Sequence, residues 1–147
     1  METDRISLAE AVLGTEADAI IVADTDGIIR FWNPGAERIF GYSRNDALGQ
    51  SLDIIIPERL RERHWAGYRQ VMASGASRYA RGDVLAVPAV RKDGSHVSLE
   101  FTITPLRDAH GRMSGIAAIL RDVTARFEEL RRLKQKVGQF SRSAESS

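Results

Sequence analysis

The chain has 147 residues, a formal net charge of +1 and 43% hydrophobic residues, which fits one globular domain with a tail. The balanced charge argues against nucleic-acid and membrane-surface partners, and the lack of cysteine excludes disulfides, thiolate catalysis and cysteine-ligated metals. Because the sequence has neither an apolar run of about 18–20 residues nor a leader-like N-terminus, we predict no membrane span, no signal peptide and a cytoplasmic location.

The N-terminal part predicts a short helix followed by a β-hairpin. Residues 1–14 carry apolar side chains at helical spacing and end in glycine, which is typical of an amphipathic flanking helix. Residues 24–27, Asp-Thr-Asp-Gly, supply turn chemistry between two apolar strands at 19–22 and 28–32. Asn33, followed by proline, then predicts the start of a further helix.

A longer central helix is predicted between Pro57 and Gly75, since proline suits the first turn of a helix and glycine its end. One stripe of this helix recurs at helical spacing, and we expect it to face the core. The stripe consists of Leu60, His64, Gly67, Tyr68 and Val71. His64 is therefore expected to point inward among apolar neighbours.

The C-terminal half predicts three strands, joined by glycine-containing turns, and a final helix. The strands are expected at residues 82–91, 95–107 and 113–123. Pro88 within the first of them suggests an edge strand or a bulge. We expect the helix at 124–140, capped by Thr124, and a disordered polar tail at 141–147.

Five short motifs, taken in order, resemble those of the PAS domain family of bacterial sensors. They are Asp-Thr-Asp-Gly at 24–27, Asn-Pro-Gly-Ala at 33–36, Phe-Gly-Tyr at 40–42, Arg-Lys-Asp-Gly at 91–94 and Arg-Asp-Val-Thr at 121–124. The resemblance implies an α+β fold over residues 15–123, with a five-stranded antiparallel sheet, helices on one face, and a pocket between the sheet and the central helix. It further implies a sensor that acts with an output kinase, cyclase or regulator.

Residues 56–64, with Tyr68 beyond them, resemble the haem-binding helix of the oxygen-sensing PAS domains of FixL kinases. That resemblance implies His64 as the iron ligand of haem b. It implies a cofactor pocket lined by Leu60, His64, Gly67, Tyr68, Val71, Leu85, Phe101, Ile103 and Ile119. FixL-type domains carry an arginine at the position that matches Leu85. Without that donor, carbon monoxide or nitric oxide is favoured over oxygen.

Several alternatives to a haem site remain open in the sequence. His64 would be structural if it packs in the core, and the chain would then be a cofactor-free PAS module for dimerisation or protein interaction. The light-sensing flavin branch of the family and photoactive yellow protein both need a cysteine, although a non-covalent flavin stays open. His96 and His110 lack metal-ligand spacing and are expected to be exposed. No catalytic constellation is present, so we do not expect an enzyme.

The last strand and the final helix carry the predicted output. Arg121, Asp122 and Thr124 resemble the junction that connects PAS sensors to their output helix. Phe127, Leu130, Leu133 and Val137 then recur at a spacing near 3.5 residues. This stripe has two interpretations: a helix that packs back on its own domain, or a parallel coiled coil in a homodimer.

Overall fold

A computed structural model describes residues 4–77 and 87–146 of the chain, with the backbone alone at 142–146. In these residues five strands form one antiparallel sheet in the order β2-β1-β5-β4-β3. The strands are β1 (Ala19–Asp24), β2 (Ile29–Trp32), β3 (Val87–Val90), β4 (His96–Arg107) and β5 (Met113–Asp122). The α+β fold predicted from the sequence is confirmed.

Helices precede, interrupt and follow the sheet. They are α1 (Arg5–Leu13), α2 (Pro34–Phe40), α3 (Arg44–Ala47), α4 (Arg61–Ser74) and α5 (Thr124–Ser146), with 3₁₀ turns at Leu52–Ile55 and Glu58–Leu60. The central helix α4 therefore begins at Arg61 rather than at Pro57, because a 3₁₀ bond from the Leu60 amide to the Pro57 carbonyl (2.8 Å) closes a separate turn. Within the described residues, none of these helices combines the length and apolar character needed to cross a bilayer.

The core lies between the sheet and helices α2 to α4. Its largest fully buried side chains include Ile21, Ile29, Trp32, Ile39 and Phe40. The Trp32 and Phe40 rings pack 5.5 Å apart, which joins the edge strand β2 to helix α2. Burial of this set fixes which face of the sheet is inner, and β4 and β5 contribute to that face by alternation.

Asn33 holds the start of α2 against the sheet. Its Oδ1 accepts bonds from the amides of Ala36 (2.9 Å) and Ile20 (2.8 Å), so one side chain both caps the helix and bonds strand β1. Its Nδ2 donates to the carbonyls of Thr15 (3.1 Å) and Asp18 (3.0 Å). The predicted cap at Asn33 is confirmed, and its long-range bonds also fix the segment between α1 and β1.

In the C-terminal half, the end of α5 differs from the predicted boundary, and the start of β3 is not tested. Helix α5 continues to Ser146, beyond the expected end at residue 140, so residues 141–146 of the predicted disordered tail have a helical backbone. No proline or glycine follows Gly138, and nothing in the tail breaks the helix. Strand β3 is described only from Val87, and residues 82–86 of the predicted strand lie outside the described residues. In the observed strand order β3 is an edge strand, which accommodates Pro88.

Candidate ligand site and output junction

Helix α4 is held on the β1–β2 turn by two aromatic side chains. The Tyr68 hydroxyl donates to the Asp24 carbonyl, and burial raises the pKa of Tyr68, so the phenol stays a donor at neutral pH. The Trp65 indole N–H donates to Asp53 Oδ1 (2.7 Å). The Trp65 ring also covers Gly27, where a Cβ would lie 2.1 Å from it. Gly27 thus provides both the positive φ of the turn (77°) and room for the indole.

His64 completes an aromatic cluster with Trp65 and Tyr68. The ring centroids of His64 and Trp65 are 4.7 Å apart with a 75° interplanar angle, and His64 and Tyr68 are 6.0 Å apart. Within the described residues, the buried Nδ1 of His64 has no hydrogen-bond partner. Burial lowers the pKa of His64, against a smaller opposing effect of the Asp53 carboxylate. A neutral, half-buried imidazole with an unpaired nitrogen is suited to bind a metal or a hydrogen-bonding ligand.

Several predicted pocket residues belong to the inner side of the domain, and most of them pack against the same core as Tyr68. Val71, Phe101 and Ile103 are half-buried and pack against the core, and Leu60 is half-buried before α4. Phe101 and Ile103 pair across the sheet with Leu120 and Ala118, which are buried. Side chains of α4 and of the central strands therefore contribute to one hydrophobic core.

Two predicted pocket residues, Ile119 and Gly67, do not lie there. Ile119 is 46% exposed on the outer face, because its strand neighbours Ala118 and Leu120 take the inner positions. Gly67 is also exposed, and a Cβ built there meets nothing within 4 Å, so it does not make room for a flat macrocycle. Leu85 lies outside the described residues, so its expected effect on gas selectivity stays a prediction.

The sequence reasoning missed Trp65 and Asp53. Trp65 adjoins His64 in the chain, and its half-buried ring packs against the core, whereas Gly67 of the predicted stripe is exposed. Asp53 bonds the indole and lies 3.9 Å from the Arg61 guanidinium. A tryptophan beside a candidate ligand was the available signal for Trp65. Asp53 lies in a separate 3₁₀ turn, and nothing local in the sequence pointed to it.

Two open grooves on the described surface are not lined by His64. One, of about 560 Å³, is lined by Ile56, Pro57, Glu58, Arg59, Arg61, Val90 and His96. Within residues 4–77 and 87–146, no group of three or more histidine, aspartate or glutamate side chains could hold a metal ion. His96 and His110 are exposed, as predicted.

The output junction ties the end of β5 to β4 through Asp122 and Thr124. Asp122 Oδ1 accepts from the Thr124 amide (2.9 Å) and hydroxyl (2.6 Å). Thr124 Oγ1 accepts in turn from the Ser98 amide of β4 (2.9 Å). Arg91 lies 3.4 Å from the other oxygen of Asp122. Asp122 therefore caps the helix, whereas Thr124 was predicted to do so, because the threonine hydroxyl is engaged by Ser98 and Asp122.

Arg121 belongs to a different group of charges on the outer face. It is exposed and lies 3.3 Å from Asp18, which holds the pKa of its guanidinium above the usual range. Its partner across the sheet is Glu100, which accepts a bond from Arg126 in the first turn of α5. Arg121 thus connects the segment before β1 to the outer face of the sheet. Asp122 and Thr124 form the junction itself.

Beyond its first turn, α5 presents its apolar side chains to solvent. They are 43–78% exposed and comprise Phe127, Leu130, Leu133, Val137 and Phe140. Helix α1 has no buried residue, and its apolar side chains Ile6, Leu8, Val12 and Leu13 are exposed too. The interpretation in which α5 packs back on its own domain is therefore wrong for these side chains.

A five-stranded antiparallel sheet with helices on its inner face and a C-terminal helix after the last strand is the architecture of one known fold family. The family model of the PAS fold matches residues 16–128, and the chain belongs to the PAS family. It is 30% identical over 125 residues to Sensor protein FixL of Bradyrhizobium diazoefficiens and 27% identical over 119 residues to Oxygen sensor protein DosP of Escherichia coli. The solved PAS domain of a Colwellia psychrerythraea protein superposes with a TM-score of 0.71 at 25% identity, covering 83% of this chain and 99% of that one.

The chain corresponds to a small part of its full-length relatives. The matches cover 85% and 81% of this chain, but only 24% of FixL and 14% of DosP. The chain therefore aligns with one part of each of these longer proteins.

Proposed function

We propose that this PAS domain is the sensory input unit of a homodimeric signalling protein, which passes its signal through α5 to a kinase, cyclase or regulator. The observation that carries the proposal is the junction at Asp122 and Thr124. It bonds β4 and β5 to the first residue of α5, while the apolar side chains of that helix from Phe127 to Phe140 are exposed. Relatives named as a sensor and as a signal transduction histidine-protein kinase support the same role.

Strand β4 provides a continuous path from the interior to the junction. Phe101 and Ile103 lie on its inner face and pack against the core that includes Tyr68 of α4, and Ser98 of the same strand bonds Thr124. A ligand that shifts α4 against the sheet would move β4, and the Ser98–Thr124 bond would carry the displacement into α5. Such a small shift is amplified when a helix has two packing arrangements with a partner.

The ligand proposed for the inner site is haem b, with His64 as the iron ligand. Support comes from the buried Nδ1 without a partner in the described residues and from the lowered pKa, which keeps the imidazole neutral. Bound haem would supply an iron that takes a diatomic gas. Tyr68, Val71, Phe101 and Ile103 would provide the apolar surround, and Trp65 would have to leave part of its present position.

An absorption titration with hemin tests this site. The wild type, His64→Ala and the matched control His96→Ala, an exposed histidine, are compared. We expect a sharp Soret band in the wild type and in His96→Ala that is lost in His64→Ala. Equal spectra for all three proteins would show that His64 is structural. If no band forms and the protein is still a dimer, the chain is a cofactor-free PAS interaction module.

A further inference from the structure

The apolar residues of α5 follow two different heptad frames. The first frame takes Val123, Phe127, Leu130 and Val137, with Lys134 at the position between the last two. The second starts at Leu130, and its members are Leu130, Leu133, Val137 and Phe140. Two successive three-residue steps, from 127 to 130 and from 130 to 133, separate the frames. One regular supercoil cannot hold both sets in a single seam.

The first frame brings like charges together. It would place Lys134 in the seam against the same residue of a second copy, where a charge is desolvated. It would also set Arg126 beside Arg131 of the partner subunit across the seam. In addition, Val123 is already buried in its own domain, and Arg126 is bonded to Glu100. The first turn of α5 is thus engaged by the sheet.

The second frame brings opposite charges together. When Leu130 and Val137 occupy heptad position a, Glu129 occupies position g and Lys134 occupies position e. In a parallel, in-register pair a g residue faces the e residue five positions further along the partner, so Glu129 meets Lys134 of the partner subunit on both sides. Glu129 also accepts from Arg132 of its own helix (2.7 Å), and a carboxylate has capacity for both bonds.

We propose that a second copy of this chain packs on α5 in parallel and in register, in the frame that begins at Leu130. The seam comprises Leu130, Leu133, Val137 and Phe140, all exposed in the isolated chain. The helices meet only after α5 has left its domain, with the first turn held by Ser98 and Glu100. In an antiparallel pair, residues at position e face residues at position e of the partner, so Lys134 would not meet Glu129. The proposal rests on the homodimer of the proposed function and adds its geometry.

Because the chain has no cysteine, single cysteines introduced into the full chain report the frame. The variants are Leu133→Cys, Phe140→Cys and, as the adjacent control, Lys134→Cys, all at exposed positions that the fold does not need. Disulfide-linked dimer is followed on non-reducing gels during mild oxidation. We expect Leu133→Cys and Phe140→Cys to cross-link at least ten times faster than Lys134→Cys, since only seam positions bring the sulfurs within bonding distance.

Each other outcome overturns the proposal in a distinguishable way. Fast cross-linking at residue 134 alone would assign the first frame, and cross-linking at 133 or 140 but not at both would assign an antiparallel pair. A protein that sediments as a dimer without any cross-link has its interface elsewhere. A protein that sediments as a monomer lacks the homodimer itself, and the proposed function fails with it.

A charge exchange gives an independent test. Glu129→Lys and Lys134→Glu should each weaken the dimer, and the double variant should restore wild-type affinity by sedimentation. Lys134→Leu separates the frames further: it should strengthen the dimer markedly if Lys134 lies in the seam. In the proposed frame it leaves affinity unchanged or lower. Failure of the double variant to recover would contradict the pairing of Glu129 with Lys134.

Discussion

Helices α4 and α5 both carry functional hypotheses, but they are held in different ways. Helix α4 lies on its own domain, where Tyr68 bonds Asp24 and the Trp65 ring covers Gly27. Among the described side chains, those of the first turn of α5 bond the sheet, and the apolar side chains from Phe127 to Phe140 are exposed. The difference supports the proposal that α4 acts within one chain and that α5 packs against a second copy. A signal would act at α4 and be transmitted through α5.

The largest expected effect is the loss of Trp65. Trp65→Ala removes the indole from Gly27 and Asp53, and we expect the free energy of unfolding to fall by about 3 kcal/mol, the low end for tryptophan because this one is half-buried. Urea unfolding measures it, with Arg69→Ala on the exposed side of α4 as the control. A loss below about 1 kcal/mol would mean that α4 is held elsewhere.

Leu130→Asp tests the other side of the comparison. Because Leu130 is 53% exposed in one chain, the substitution should leave monomer stability unchanged and raise the dimer dissociation constant at least a hundredfold, about 2.7 kcal/mol. Sedimentation at a series of concentrations measures the change. Gln135→Asp, outside both seams, is the matched control. Equal affinity of the two variants would remove α5 from the dimer interface.

The junction itself is tested by Thr124→Val, which keeps the shape and removes the hydroxyl between Ser98 and Asp122. The part-buried Ser98 amide would lose its acceptor, and we expect the free energy of unfolding to fall by about 1.5 kcal/mol. Hydrogen exchange at the start of α5 should increase more than exchange in α4. Thr102→Val on the outer face is the control. Unchanged exchange at α5 would disconnect the helix from β4.

The smallest expected effect is a pH dependence that arises at His64. Burial lowers its pKa below 6.5, so the unfolded chain takes up a proton first as the pH falls. Stability should therefore decrease below about pH 6.5 and level off once folded His64 is protonated as well, with a slope under about 1.4 kcal/mol per pH unit. His64→Gln should flatten this part of the urea-unfolding profile between pH 8 and 5. Identical profiles would place His64 in a more solvated site.

Much of the fold follows from signals that act over a few residues. The turn at Gly27, the cap at Asn33 and the end of α2 at Gly41 each depend on local backbone chemistry, and the structure has all three. Alternation along β4 likewise puts Val97, Leu99, Phe101 and Ile103 on one face of the sheet, and this signal lies within a single strand. The order of these motifs was enough to indicate the PAS family.

The details of the site were decided by packing between distant segments. In β5 both Ile119 and Leu120 are apolar, so the sequence does not say which one is inner, and pairing with β1 and β4 places Ile119 outside. Trp65 faces inward and Gly67 outward because the indole finds Gly27 and Asp53, which are 38 and 12 residues away in the chain. Asp122 caps α5 because Ser98 engages Thr124.

The sequence by itself determined the class of fold, the order of its elements, the candidate ligand His64 and the apolar stripe of the last helix. These depend on spacing along one segment, which the chain carries in full. Only the tertiary structure decided the rotation of α4, the partners of His64 and the separation of Arg121 from Asp122. Those features depend on which surfaces meet across the core and the sheet, and a half-buried helix face has no local signal that sets it.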